Sequence, residues 1–432
     1  MDEDAERLLP RSEANGISDS ASDSVAYHGQ GHYAAFAISW IMGCAFLFPW
    51  NALLTVEDYY YVVFPNDHPS RVFTIVYEPF ALITTFIFLY YEARASTRWR
   101  ILSGFALFIA AIALAIVIDV ATHGSGGIGS FVGMCFLIAM LGIGDGTAQG
   151  GLVGDLSFMH PSYLQAYNAG LAASGVATTV MRMITKVAFG DGNFGLRKGA
   201  LVFWGVAGFV EVVGVVLYAF VFPRLEAVKF YRGRAANEGS KTVNDDLTAA
   251  GVDGKSQDAE YGNTRPRKST SELFFENWDY ALMLVLIYLL SLSIFPGFLY
   301  EDTGKHQLGD WYALVLIAMY NGADLISRFI PLVPALCMRS RRLIMITCLA
   351  RFALIPCFYF TAKYADAGYM IFLCIILGLT NGYLTVVVFT RAPEGYISPE
   401  QNALGNILIS FLIVGLFLGV TSDWLWLIGK GW

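Results

Sequence analysis

The chain has 432 residues, of which 56% are hydrophobic and 15% charged, with a formal net charge of −7 and a mean hydropathy of +0.53. Soluble domains average about 25% charged residues, so the composition excludes an ordinary soluble protein. Apolar runs near the ~20 residues that cross a bilayer recur from Tyr33 onward and predict an all-α polytopic membrane protein.

The first 32 residues are acidic, polar and rich in Ser and Gly. They lack the short apolar core of a cleavable signal peptide, so we expect a disordered cytoplasmic tail over 1–32. Asp4, Leu8 and Leu9 form an acidic dileucine pattern in this tail. Adaptor proteins read such a pattern as an endosomal, lysosomal or vacuolar address, although short patterns also arise by chance.

Eleven membrane-spanning helices are predicted in two groups. The first six cover roughly 33–56, 72–93, 99–120, 130–158, 163–189 and 199–222, and the last five roughly 278–300, 310–334, 342–363, 367–391 and 402–428. The predicted organisation is therefore an N-terminal six-helix bundle over 33–222, a disordered cytoplasmic linker over 223–277, and a C-terminal five-helix bundle over 278–432.

The distribution of Arg and Lys predicts the orientation. With the N-terminus in the cytoplasm, basic residues concentrate in the cytoplasmic loops after spans 2 and 8 and in the linker, as the positive-inside rule requires. Lys186, Arg197 and Lys198, near the loop after span 5, are the exception. An odd number of spans puts the C-terminus on the outer or lumenal side. The membrane itself is expected to be the plasma membrane or a vacuolar or lysosomal membrane.

Span 8 contains an acid and a base four residues apart, Asp324 and Arg328. This spacing places both on one helix face within reach of each other, and Asn321 extends the same stripe. A charge at the bilayer centre costs about 2.5–3.5 kcal/mol, so such residues face the bundle interior or a wet cavity. The pair either fastens helices together or lines a solute pathway, and we favour the pathway.

Span 4 contains Gly146, Gly150 and Gly154 at every fourth position, a face of small residues that permits close helix packing. Asp145 and Gln149 lie on an adjacent face, and packing alone does not explain them.

Span 1 ends with Pro49, Trp50 and Asn51. Proline bends a helix by removing a hydrogen bond, and a broken helix can present polar groups to a transport cavity. A tryptophan anchor at the membrane interface, followed by the helix end, is the equally weighted alternative.

Cysteine and histidine spacing indicates no cofactor and no metal. The six cysteines form no CxxC motif, and the six histidines lie outside the apolar runs, so we expect neither a disulfide framework nor a metal site. Nothing in the sequence indicates a nucleic-acid partner; the lipid bilayer is the expected surrounding.

Gly142 to Asp145 spell the GxGD signature of intramembrane aspartyl proteases, and Pro334-Ala335-Leu336 matches a second motif of those enzymes. Their chemistry needs a coupled pair of acids. The span before GxGD offers only Asp119, at its end, so we expect a protein that is not an enzyme.

Five motifs in order resemble the equilibrative nucleoside transporters, in particular the plant and protozoan members. They are FPWNALLT, GTAQGGLVGDLSFMHPSYLQAYNAGLAASG, YNGADLISR, LARFALIP and TNGYLTVVVFTRAPE, within about 33–428. The resemblance implies a fold related to the major facilitator architecture, with two bundles that rock around a central site. It implies transport of purine and pyrimidine nucleosides, such as adenosine and uridine.

The same resemblance implies a substrate site and an outer gate. The site comprises Trp50, Asn51, Leu54, Gln149, Asn321, Asp324 and Arg328, and the gate comprises Leu54 and Pro296. Asp145 stands where animal members have glycine, and a carboxylate facing the cavity can carry a proton. Transport is therefore expected to be facilitative or proton-coupled.

The chemistry of these side chains suits a nucleoside. Asp324 can accept hydrogen bonds from both ribose hydroxyls, and Arg328 keeps that carboxylate ionised and oriented. Gln149 can donate to and accept from a base edge, while Trp50 supplies an apolar wall. A transporter of another polar solute, such as a sugar, is the alternative.

Overall fold

A computed structural model describes residues 31–65, 67–91, 96–190, 192–249, 268–295, 297–301, 311–364 and 367–428. The predicted sorting residues Asp4, Leu8 and Leu9 and the predicted gate residue Pro296 lie outside the described residues.

The described residues form helices and turns. The helices are α1 His32–Thr55, α2 Glu57–Val63, α3 Pro69–Tyr90, α4 Thr97–Thr122, α5 Ile128–Ser157, α6 Pro161–Phe189, α7 Asn193–Val216, α8 Glu226–Ala249, α9 Thr270–Leu292, α10 Gly297–Glu301, α11 Trp311–Ser327, α12 Arg341–Ala350, α13 Leu354–Tyr364, α14 Ala367–Arg391 and α15 Ser398–Asp423. A π-helical turn, Leu217–Val221, extends α7, and a 3-10 turn joins α12 to α13.

Local sequence explains where several helices begin. Proline occupies the first turn of α3, α6 and α15, where its missing N–H costs nothing. The Ser269 hydroxyl accepts from the Glu272 N–H at 3.3 Å, and Glu272 accepts from the Ser269 N–H at 2.8 Å. This reciprocal capping box starts α9.

Ten helices among the described residues are long and apolar enough to cross a membrane. The protein is thus an all-helical, multi-pass membrane protein. Helix α6 has 29 residues and is absent from those ten because it carries Gln165, Asn168, Arg182 and Lys186, all of them buried. The count of eleven spans and the division into six and five stay predictions.

Glycines set the closest helix contacts. A Cβ at Gly43 would overlap the Tyr167 carbonyl, and one at Gly170 would overlap the Trp40 carbonyl, so α1 and α6 touch backbone to backbone. The small-residue face of α5 serves two neighbours. A Cβ at Gly146 would lie 2.5 Å from the Ala81 carbonyl of α3, whereas Gly150 faces a side chain of α15. Close approach of this kind holds helices together in lipid, where burial of apolar surface contributes little.

The predicted linker contains a helix. Disorder was expected over 223–277, but α8 covers Glu226–Ala249. Ala227 and Val228 are fully buried, and Arg232 forms an ion pair with Asp155 of α5. The buried apolar residues and the ion pair attach α8 to the rest of the protein. The polar composition of the segment does not indicate these contacts. Residues 250–267 lie outside the described part of the chain.

An ion pair connects α3 to the end of α15. Arg71 Nε lies 3.2 Å from Asp423 Oδ2, and both side chains are buried. Asp423 Oδ1 also accepts the Phe298 N–H at 3.2 Å, and the Arg71 guanidinium lies 6.0 Å from the Trp424 ring. These contacts join α3 and α10 to the end of α15 on the predicted outer side of the protein.

Candidate functional site

The acid–base pair of α11 forms an ion pair. Arg328 Nε donates to Asp324 Oδ2 at 2.9 Å, and each residue is 5% exposed. The regular helix ends at Ser327, since Pro331 cannot supply the next N–H and its ring crowds the preceding turn. Arg328 therefore lies in the turn just beyond α11, where its side chain still reaches back four residues.

Asp324 is held from its other oxygen as well. Asn381 of α14 donates through Nδ2 to Asp324 Oδ1 at 2.8 Å, and its own Oδ1 accepts from the Ser291 hydroxyl at 2.7 Å. Arg351 donates to Ser291 Oγ at 2.9 Å, to the Ile287 carbonyl at 3.1 Å and to Thr380 Oγ1 at 2.9 Å. A continuous hydrogen-bond network therefore fixes the Asp324 carboxylate.

Glycines of α14 make this contact sterically possible. A Cβ at Gly378 would overlap the Tyr320 carbonyl, and a Cβ at Gly382 would overlap the Asp324 carbonyl and the Ser327 hydroxyl. Any side chain at these positions would separate α14 from α11 and withdraw Asn381. In the TNGY motif of span 10, Asn381 thus donates a hydrogen bond to Asp324, and Gly382 lets the two helices approach closely enough for that bond to form.

Helix α6 binds the other side of α11. Arg328 Nη1 donates to the Asn168 carbonyl at 2.7 Å, and Gln165 donates to the Arg328 carbonyl at 3.0 Å. Asn321 donates to Thr179 Oγ1 at 3.1 Å and to the Gly175 carbonyl at 3.3 Å. Asn321 thus lies on the predicted stripe, but its amide N–H groups bind α6.

Helix α1 provides an aromatic wall and a fastening amide. It continues through Pro49 to Thr55. The Trp50 ring stacks on Tyr77 of α3, with centroids 4.0 Å apart and planes at 22°. Asn51 donates to the Ser174 hydroxyl of α6 at 2.6 Å. The helix does not end at Trp50, so the arrangement is that of a cavity wall rather than of a terminal interface anchor.

Asp145 and Gln149 of α5 are both buried. Asp145 Oδ1 and Gln149 Oε1 have no hydrogen-bond partner among the described residues. The Tyr77 hydroxyl interacts with the Asp145 carboxyl group. Each of these side chains thus carries a buried polar oxygen that no described residue satisfies.

One cavity of about 140 Å³ brings the predicted residues together. Its lining includes every predicted substrate-site residue and the proton-coupling candidate: Trp50, Asn51, Leu54, Asp145, Gln149, Asn321, Asp324 and Arg328. Sequence reasoning assigned no role to several others, namely Tyr77, Glu78, Tyr288, Phe295, Tyr320 and Asn381. Glu78 lies in the predicted span 72–93 and Asn381 in the TNGYLTVVVFTRAPE motif, but only the packing shows that they line this cavity.

A second cavity of about 340 Å³ lies between the start of α6 and the loop before α15. His160, Arg234 and Glu394 contribute to its lining, and none of the predicted site residues does.

The acid pair of an aspartyl protease does not form. Asp119 accepts from Arg197 Nε at 2.9 Å and from the Tyr59 hydroxyl, and it does not line the cavity that holds Asp145. The Pro334–Leu336 motif is a 3-10 turn without buried residues. Among the described residues, no group of three His, Cys, Asp or Glu side chains is placed to bind a metal.

The sequence is similar to those of known transporters. The sequence model of the family described as "Nucleoside transporter" matches residues 135–428. The chain is 54% identical to Equilibrative nucleotide transporter 3 of Arabidopsis thaliana, over 93% of this chain and 96% of the relative. It is 52% identical to Equilibrative nucleotide transporter 6 of the same plant, with the same coverage.

A solved structure shares the fold. The major facilitator superfamily proton:xylose symporter XylE, bound to 6-bromo-6-deoxy-D-glucose, aligns with a TM-score of 0.60, at 12% identity, over 93% of this chain and 90% of the symporter. This likeness identifies a major-facilitator-like architecture. The family and the fold are those of transporters and not of enzymes. The chain belongs to the nucleoside transporter family.

Proposed function

We propose that this protein moves purine and pyrimidine nucleosides, such as adenosine and uridine, across a membrane by alternating access. In this mechanism the helices of 33–222 and those of 278–432 rock around the cavity that contains Asp324. The cavity is suited to this because its walls come from both groups: Trp50 and Gln149 from the first, Asp324 and Arg328 from the second.

The observation that carries the proposal is the state of the Asp324 carboxylate. Asn381 occupies one site on Oδ1 and Arg328 one site on Oδ2, at 2.8 and 2.9 Å. A carboxylate oxygen accepts about two hydrogen bonds, so each oxygen keeps capacity for one more. Two adjacent acceptors match the vicinal hydroxyl groups of ribose. Because Asn381 and Arg328 already hold the carboxylate in place, orienting it on ligand binding costs little conformational entropy.

The base would lie toward α1 and α5. Trp50 is already stacked on Tyr77 and offers an apolar face, and Gln149 has an unpartnered oxygen among the described residues. An amide can both donate to and accept from a base edge. This chemistry accommodates adenine and uracil alike.

The charges of the cavity favour a nucleoside over a nucleotide, although the Arabidopsis relatives are named nucleotide transporters. Of the described residues that line the cavity, Arg328 is the cation, and it is committed to Asp324. Glu78 and Asp145 add two further carboxyl groups. A phosphate would meet acids without a free cation, which is electrostatically unfavourable.

Uptake by purified protein in lipid vesicles tests the proposal. We expect saturable uptake of labelled adenosine and uridine, with weak competition by AMP and by xylose. Asp324→Asn and Arg328→Ala should abolish it, whereas Glu394→Gln, in the exposed ion pair with Arg391, should not. The proposal fails if wild-type uptake does not saturate, or if both cavity variants transport normally. Preferential competition by xylose would instead indicate a sugar transporter.

Energy coupling is a separate part of the proposal. Asp145 is the predicted proton carrier, and it lies in the cavity beside Tyr77 and Gln149. Facilitative and proton-coupled transport differ in one result: an imposed pH gradient drives accumulation of nucleoside only if protons are coupled to transport.

We further propose that the N-terminus is cytoplasmic and that the chain resides in a vacuolar or lysosomal membrane, addressed by an adaptor protein. The support is the distribution of basic loops and the Asp4, Leu8 and Leu9 pattern. A fluorescent fusion carrying Leu8→Ala and Leu9→Ala should move to the plasma membrane. An unchanged location would refute the sorting role.

A further inference from the structure

Glu78 of α3 is a second carboxyl group in the cavity. It is 3% exposed, lines the same cavity as Asp324, and its Oε2 has no hydrogen-bond partner among the described residues. Glu78 forms no ion pair with another residue in the described part of the chain. Its burial in a membrane-spanning helix therefore needs another explanation.

Asp145 approaches Glu78 from α5. The two helices touch backbone to backbone here, because a Cβ at Gly142 would overlap the Tyr77 carbonyl and one at Gly146 would lie 2.5 Å from the Ala81 carbonyl. Asp145 is 4% exposed and lines the same cavity as Glu78. The two acids thus lie on neighbouring helices in one wall of the cavity.

Within the described residues, the surroundings of Glu78 and Asp145 contain hydroxyl groups, and no cation forms an ion pair with either acid. Tyr77 on α3 and Tyr167 on α6 both interact electrostatically with Asp145. Helix α3 and the helices packed against it carry arginines, but these arginines bind groups other than Glu78 and Asp145. Arg71 pairs with Asp423 of α15, and Arg100 of α4 donates to the Thr147 carbonyl at 3.3 Å.

Further titratable groups lie on the other packed elements. Glu57 and Tyr60 on α2 are buried near the predicted outer end, and Glu400 of α15 accepts the Lys268 N–H at 2.8 Å. Asp324 lies across the cavity in its own ion pair with Arg328. None of these supplies a positive charge to Glu78 or Asp145.

Two ionised carboxylates without a cation are unfavourable in a buried site. Burial removes hydration from each carboxylate, which disfavours its ionised form. The negative charge of either acid also makes ionisation of the other less favourable. The pair therefore keeps at least one proton, and protons leave it as a coupled unit rather than from independent acids. Their unpartnered oxygens, Glu78 Oε2 and Asp145 Oδ1, give that proton two acceptors on residues that line the cavity.

Tyr77 links this pair to the wall that would contact the base. Its hydroxyl interacts with Asp145, and its ring stacks on Trp50 at 4.0 Å. An ionised Asp145 accepts a hydrogen bond from the hydroxyl, whereas a protonated one can also donate. The same ring that responds to the proton therefore supports Trp50.

We propose that Glu78 and Asp145 together form the proton-binding site of the transporter, and that Tyr77 transmits its state to Trp50. The inference rests on the proposed nucleoside transport and adds its coupling partner. Linkage is reciprocal: if a proton strengthens nucleoside binding, the nucleoside strengthens proton binding by the same factor. Tyr77 acts as a positioning residue.

Vesicles loaded with a pH-sensitive dye test the pair. With the lumen one pH unit more alkaline than the bath, uptake of one proton per uridine permits accumulation of about tenfold. We expect wild type to accumulate uridine and to acidify the lumen. Glu78→Gln and Asp145→Asn should each lose uridine accumulation and proton movement by a much larger factor than they lose uridine exchange at equal concentrations. Glu394→Gln serves as the exposed carboxylate control.

The outcomes separate this inference from the proposed function. Wild-type exchange of uridine without proton movement, or full gradient-driven accumulation by Glu78→Gln, overturns the inference and leaves nucleoside transport intact. Absence of uridine exchange in wild type overturns the proposed function itself. Tyr77→Phe keeps the stacked ring but loses the hydroxyl, so exchange should persist while accumulation falls several-fold. Wild-type accumulation by Tyr77→Phe overturns the transmission role.

Discussion

Asn381 donates to Asp324 Oδ1 at 2.8 Å, while Arg328 donates to Asp324 Oδ2 at 2.9 Å. The carboxylate is thus held between α14 and the end of its own helix, with one acceptor site still open on each oxygen. The structure assigns Asn381 the role of orienting the Asp324 carboxylate, which would bind ribose. Asn381 is uncharged, so the sequence alone does not indicate this role.

Replacement of Asn381 by alanine tests this orientation. A hydrogen bond to a charged group contributes about 1.5–3 kcal/mol, so Asn381→Ala should weaken nucleoside affinity by roughly 10- to 100-fold. Competition binding to purified protein measures the change. Thr347→Val is the control, because the Thr347 hydroxyl donates to the Leu343 carbonyl of its own helix and Thr347 does not line the cavity. Equal affinities for Asn381→Ala and wild type would contradict the assigned role.

Two glycines at the α11–α14 contact provide a second test. A Cβ at Gly382 would overlap the Asp324 backbone, whereas a Cβ at Gly322 would meet nothing within 4 Å. Gly382→Ala should therefore separate the helices and abolish uptake. Gly322→Ala should preserve uptake and leave thermal stability equal or higher, since alanine favours a helix by about 0.5–1 kcal/mol. The packing described here is wrong if the two variants behave alike in uptake assays.

The buried Arg71–Asp423 ion pair should dominate stability at the predicted outer side. Removal of one partner from a buried pair typically costs about 3–5 kcal/mol, so Asp423→Asn should lower the apparent melting temperature of the purified protein clearly. Glu394→Gln breaks the exposed pair with Arg391, and exposed pairs contribute about 0–1 kcal/mol. Similar losses from both variants would show that the Arg71 contact does not hold α3 to α15.

Local spacing made the first part of the site predictable. Asp324 and Arg328 are four residues apart on one helix, so their contact follows from helical geometry. Asp145 and Gln149 follow in the same way. Glu78 and Asn381 lie on other helices, and their positions beside Asp145 and Asp324 depend on how glycines let those helices approach. Spacing within a segment carries no information on such contacts.

Hydropathy predicted most membrane helices but not every element. Helix α6 is polar because its Gln165, Asn168 and Arg182 are buried against other helices rather than exposed to lipid. The sequence nevertheless predicts α6 as the span over 163–189. Helix α8 falls in the segment expected to be disordered, since only a short apolar stretch with Ala227 and Val228 anchors it, and the composition of the whole segment does not reveal those two residues.

The most direct test of the central claim compares ligands that differ only in the ribose hydroxyls. Binding of adenosine and of 2′,3′-dideoxyadenosine should be measured directly by calorimetry on purified wild type and purified Asp324→Asn, at matched amounts of folded protein, because Asp324→Asn should abolish uptake. If Asp324 accepts from the ribose diol, wild type should prefer adenosine by roughly 10- to 100-fold, from about 1.5–3 kcal/mol, and Asp324→Asn should lose most of that preference. An unchanged preference in Asp324→Asn would contradict the assignment of Asp324 as the ribose acceptor.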